Sequence, residues 1–84
     1  MKNKFFKIYG RVQGVGFRTW TKKEAEKYNL TGWVRNCSDK TVECEVSGVK
    51  KNIDSFSKAC LKGPLLSSVR KIKEENISFR KFQS

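Results

Sequence analysis

Eighty-four residues make one domain, large enough for a two-layer core and too short for a second domain or an elaborate lid. Nineteen Lys and Arg against eight Asp and Glu leave a net charge of +11, a field that draws anions without specifying which. With no histidine and three cysteines at spacings of no zinc pattern, the chain offers no conventional transition-metal site, and no apolar run reaches the length of a membrane span or signal-peptide core.

Those absences predict a cytosolic protein that works without a cofactor. The first element is a strand, because Phe6, Ile8, Gly10 and Val12 alternate against Phe5, Lys7, Tyr9 and Arg11. The run Gly10-Arg11-Val12-Gln13-Gly14-Val15-Gly16-Phe17-Arg18 then leaves the strand, turns through two closely spaced glycines and enters a helix with an arginine. Gly14 and Gly16 lack Cβ atoms, so the loop can take positive φ and aim backbone N–H groups inward, toward the unpaired N–H groups and positive dipole end of the helix. A cation in a first helical turn opposes that dipole unless an anion also sits there, so the placement of Arg18 favours anion binding. The run ends in neither the Gly-Lys-Ser/Thr of an NTPase loop nor the Gly-x-Gly-x-x-Gly of a dinucleotide site, which argues against a nucleotide.

Phe17, Trp20, Ala25 and Tyr28 fall on one half of a helical wheel and Lys22, Lys23, Glu26 and Lys27 on the other, predicting an amphipathic helix over Phe17 to Asn29. Trp33 to Asn36 and Thr41 to Ser47 read as a hairpin closed by Ser38-Asp39-Lys40, the second strand setting Val42, Cys44 and Val46 against Glu43 and Glu45. Asn52 or Asp54 is expected to cap a second helix carrying Ile53, Phe56 and Cys60 inward, and Gly63-Pro64 to end it. Val69 to Glu74 and Ile77 to Phe82 supply the remaining strand material. Cys44 and Cys60 lie on apolar faces and read as small reduced core residues, whereas Cys37 reads as partly exposed. The order strand, helix, strand, strand, helix, strand predicts an α+β ferredoxin-like sandwich with two helices on one face of an antiparallel sheet.

Gly10-Arg11-Val12-Gln13-Gly14-Val15-Gly16-Phe17-Arg18, followed by Gly32-Trp33-Val34-Arg35-Asn36 and a strand ending in Ser47-Gly48, closely resembles the two signature stretches of the acylphosphatases. Gly63-Pro64 and Phe79 to Phe82 sit where that family closes its second helix and adds its last strand. The resemblance implies the ferredoxin-like fold and hydrolysis of small acyl phosphates to a carboxylate and inorganic phosphate. It assigns phosphoryl binding to Val12, Gln13, Gly14, Val15, Gly16 and Phe17 together with Arg18, and it assigns Asn36 to orienting the attacking water. Arg18 and Asn36 are thus the expected catalytic pair, with no metal and a monomeric chain. The chemistry is compatible with that sparse set, because a carboxylate leaves as a stable anion near neutral pH and needs no general acid.

One position departs from the family: Lys40 stands in the hairpin turn where a glycine is usual. Either the turn has changed type or a neighbour such as Asp39 takes the left-handed conformation. The alternative reading from another class is a nucleic-acid-binding module of the same fold, suggested by the charge and the aromatic content. Its aromatic signature is missing, since Gly14-Val15-Gly16-Phe17 falls on a loop and not on a central strand, and no specific nucleic-acid partner is expected.

Overall fold

The computed structural model describes residues 1–79. In chain order its elements are β1 (Lys2–Arg11), α1 (Phe17–Lys27), β2 (Thr31–Asn36), β3 (Val42–Gly48), α2 (Lys50–Lys62) and β4 (Ser68–Ile77). The strands form one antiparallel sheet in the order β2-β3-β1-β4, so β1 lies between the hairpin and β4. Its registers run from Lys2 opposite Gly48 to Ile8 opposite Val42 on one side, and from Asn3 opposite Ile77 to Arg11 opposite Ser68 on the other.

The core lies between this sheet and the two helices. Phe6 and Ile8 from β1 and Val42, Cys44 and Val46 from β3 meet Phe17 from α1 and Ile53, Phe56 and Cys60 from α2, all buried. Phe6 and Phe56 pack edge to face, with ring centroids 5.5 Å apart, the geometry that the quadrupoles of two aromatic rings prefer. Burial pushes the Cys44 thiol up to about 12 and raises that of Cys60 as well, so both are protonated packing groups, as their apolar faces predict.

Several expectations need correction. The first helix stops at Lys27, two residues early, because Asn29 adopts φ 56° and closes a Schellman pattern: its N–H donates to Glu26 O (3.0 Å) and that of Leu30 to Ala25 O (2.8 Å). Neither Asn52 nor Asp54 caps the second helix. The chain turns straight from Gly48 into it with Val49 at the cap position, so both residues fall inside the first turns, where Asp54 accepts a hydrogen bond from Lys50 Nζ at 2.8 Å. Gly63 ends that helix as expected, at φ 66°.

Glu45 alternates with Val46 as predicted yet is only 1% exposed and accepts a hydrogen bond from Asn3 Nδ2 at 2.9 Å, so the sheet surface away from the helices is not polar and open throughout. The fourth strand runs unbroken from Ser68 to Ile77, so the strand expected over Ile77 to Phe82 does not continue through Ser78 and Phe79, and the rest of that stretch lies outside the described residues. Lys40 itself takes the left-handed conformation at φ 70°, so neither of the two expected ways round the missing glycine is used.

Candidate active site

The glycine loop is fixed at both ends by the core. Val12 and Phe17 are each 1% exposed, while Gly14 and Gly16 between them stand at the surface. Both glycines have positive φ, 73° and 76°, and a Cβ placed on either would meet nothing within 4 Å. The demand for glycine is therefore conformational and not steric: only the backbone path requires it.

Gly16 is the N-cap of α1, and its carbonyl accepts the N–H of Trp20 at 3.0 Å. No side chain caps this helix, and its first turn contains no acidic residue. The leading N–H groups of an α-helix have no partner within the helix, so here they are left to solvent or to a ligand. Arg18 is the second residue of α1 and is exposed; among the described residues no carboxylate lies within ion-pair distance of its guanidinium. Backbone donors, the positive end of the helix dipole and an uncommitted guanidinium thus belong to one short stretch of chain, Gly14 to Arg18.

Asn36 arrives from the other side. It ends β2, with its backbone opposite Val42, and its side chain is exposed. A cleft of about 730 Å³ runs between α1 and β2, walled by Arg18, Thr21, Ala25, Trp33 and Val34 among others. Val34 and Asn36 share a strand face by the two-residue period, but the cleft lining stops at Val34 and includes neither Asn36 nor a residue of the glycine loop.

Two features of this region had no signal in the sequence. The Gln13 side chain does not point out of the loop as a free ligand-binding group; its Nε2 donates to Cys37 O at 2.8 Å and Thr41 O at 2.9 Å, tying the loop to the β2–β3 turn. The turn is also held by charge. Lys7 Nζ reaches Asp39 at 3.0 Å and Glu43 at 3.4 Å, and Arg35 donates to Glu43 through Nε and Nη2 at 3.0 and 2.7 Å. The Thr41 hydroxyl, with Lys7 beside it, holds the Asp39 carboxyl down to about 2, and Arg35 lowers Glu43. The Gln13 and Lys7 partners lie far along the chain, where composition and periodicity are silent; the Asp39–Thr41 contact is local.

No group of three or more His, Cys, Asp or Glu side chains converges among the described residues, and no helix there is long and apolar enough to cross a membrane. Cys37, the half-buried thiol, follows Asn36 directly and donates its backbone N–H to Thr41 O at 2.9 Å.

Comparison with known proteins points one way. Residues 4–84 match the family model described as Acylphosphatase. An acylphosphatase of Bacillus licheniformis is 47% identical over 79 residues, covering 89% of this chain and 88% of that protein. The crystal structure of acylphosphatase from Bacillus subtilis superposes with a TM-score of 0.90 at 38% identity, over 92% of this chain and 86% of that one. An acylphosphatase from Coxiella burnetii gives 0.93 at 32% identity, over 96% and 85%. These matches favour the hydrolase reading over the nucleic-acid alternative.

Proposed function

Since the chain belongs to the acylphosphatase family, whose reaction is cleavage of the carboxyl–phosphate bond of small acyl phosphates, we propose that it performs this reaction without a metal, using Arg18 and Asn36 as its catalytic side chains. The observation that carries the reading is the bare N-terminus of α1: positive-φ glycines at 14 and 16, no capping side chain, no first-turn acid, and Arg18 without a carboxylate partner among the described residues.

The phosphoryl oxygens sit on the backbone donors between Val12 and Phe17, with the Arg18 guanidinium across them. The Asn36 amide, which offers both an acceptor and donors, holds a water in line with the bond to be broken. The water oxygen attacks phosphorus, the phosphorus–oxygen bond to the acyl group breaks, and its electron pair leaves on the carboxylate. The water protons remain with the phosphate or pass to solvent. Charge spreads over the equatorial oxygens as the loose transition state forms, so a preorganised cradle and a fixed cation supply most of the stabilisation. No proton need be given to the leaving group, which removes the usual requirement for histidine or a raised-pKa carboxyl. The chain acts on this reading as a cytosolic monomer, with acyl phosphate and inorganic phosphate as its partners and no specific nucleic acid.

The test is hydrolysis of acetyl phosphate with and without chelator, beside the two variants. Activity should be unchanged by chelator and small toward ordinary phosphate monoesters. Arg18→Ala should lose phosphate binding and turnover together, whereas Asn36→Ala should keep phosphate affinity and lose kcat by a factor on the order of 100. Strict dependence on added magnesium overturns the metal-free mechanism. Normal kcat in Asn36→Ala, or normal phosphate binding in Arg18→Ala, overturns that residue's role.

A further inference from the structure

Gln13 stands between the two halves of the site. It follows buried Val12 at the start of the glycine loop and is itself half-buried, yet its side chain reaches 24 and 28 residues along the chain to Cys37 O and Thr41 O. Those two carbonyls sit at the neck of the β2–β3 turn. Cys37 directly follows Asn36, Thr41 directly precedes Val42, and Val42 is the backbone partner of Asn36 in the ladder. The neck is closed on itself by Cys37 N to Thr41 O at 2.9 Å, and the Gln13 amide adds a second closure from the cradle side.

We propose that Gln13 is a positioning residue, which sets the distance between the phosphoryl cradle and the Asn36 amide by bridging the two carbonyls that flank the turn. The inference rests on the reading of Asn36 as the group that orients water. Water attack tolerates little misplacement, and among the described residues no other side-chain hydrogen bond runs from the glycine loop to the β2–β3 turn. The bond pattern also fixes the residue type. Both acceptors are carbonyl oxygens, so the bridge needs a neutral group with two N–H donors on one nitrogen, which glutamine has. Glutamate would put one acceptor oxygen against both carbonyls where the nitrogen now donates, methionine would offer no donor, and asparagine would be one methylene short.

A double-mutant cycle between Gln13→Met and Asn36→Ala tests this, read as kcat and KM on acetyl phosphate and as Kd for inorganic phosphate. In the otherwise unchanged chain Gln13→Met should lower kcat about ten-fold, the size expected from losing a pair of hydrogen bonds, with phosphate Kd moving far less. In the Asn36→Ala background the same change should cost almost nothing further in kcat, since the amide it positions is gone. Gln13→Asn keeps the neutral amide but is one methylene short; it should repeat the loss, and it replaces the methionine variant if that one does not fold. A slow Asn36→Ala enzyme in which Gln13→Met cuts kcat by the same factor as in the intact site overturns the inference and leaves Asn36 in its role. Weakening of phosphate by as much as kcat falls overturns it too, because Gln13 would then be serving the cradle alone. Near-normal kcat in Asn36→Ala alone instead sinks the reading of Asn36, and the positioning role with it.

Discussion

Lys40 takes a backbone conformation that suits glycine better than lysine. Its φ of 70° is the conformation a glycine would adopt there, and a lysine bears the left-handed penalty of roughly 1–2 kcal/mol to do so. The turn tolerates this because its other positions are well bonded: Lys40 N donates to Cys37 O at 3.1 Å, and Asp39 accepts from both the N–H and the hydroxyl of Thr41. The cost therefore falls on the stability of the turn. Lys40→Gly should relieve the strain, less the roughly 0.5–1 kcal/mol of extra backbone entropy that glycine loses on folding, for a net gain of about 0.5–1 kcal/mol. A thermal melt should show Tm rising by a few degrees, with kcat and KM unchanged; an unchanged or lower Tm would mean that the turn carries no strain at Lys40. The glycines at 14 and 16 were legible in the sequence because glycine is the residue that takes positive φ at least cost. Gln13 was legible only as part of the loop, since a side chain whose partners are distant backbone carbonyls leaves no local pattern.

Among the elements, the β2–β3 turn is the one whose position depends most on charge. Lys7 on β1 pairs with Asp39 at its tip and Glu43 on its second strand, and Arg35 pairs with Glu43 from the first. Asp39 is held down to about 2 from its ordinary 3.8, first by the Thr41 hydroxyl and next by Lys7. A carboxyl lowered by folding stabilises the fold at any pH above its unfolded value, and that contribution disappears as pH falls through the folded value. The turn should accordingly keep its amide protection at pH 5 and loosen in the window between about 4 and 2. Thr41→Val removes the largest cause, so the Asp39 titration should move up toward 3.8 and the loosening should begin at higher pH. Carboxyl chemical shifts followed through an acid titration decide this, and an Asp39 that titrates near 4 in the unaltered protein would show that the network does not hold in solution. The helices were better marked in the sequence than this turn. Phe17, Trp20 and Ala25 on α1 with Tyr28 at its C-cap, and Ile53, Phe56 and Cys60 on α2, carry the 3.6-residue period that burial demands. The start of α2 was misread because propensity favours Asn or Asp at a cap, whereas the tight turn out of Gly48 leaves room only for Val49.

At the scale of the whole molecule, the order of elements and the two helices on one sheet face follow from period and order alone, but the pairing of β1 with both β3 and β4 comes from the fold and not from any segment. Charge, too, becomes interpretable only once folded. Glu24, Asp39, Glu43, Asp54 and Glu74 each lie within ion-pair reach of a Lys or Arg, which spends those acids on local pairs and leaves the excess of nineteen cations over eight anions to act at long range. Arg18 stands at the cradle with no such partner among the described residues, so a dianionic substrate is drawn by the general field before it meets the local clamp. These two contributions respond differently to salt. The field is screened over a Debye length of about 30 Å at 0.01 M salt and about 8 Å at 0.15 M, whereas contacts of about 3 Å inside the cradle are hardly screened at all. Raising potassium chloride over that range should therefore lower kcat/KM for acetyl phosphate severalfold, through KM, and leave kcat nearly constant. Sucrose at matched osmolality should leave both unchanged. A flat kcat/KM would show that the net charge of +11 plays no part in capture, and a fall carried by kcat would place the salt-sensitive interaction in the transition state instead of the approach.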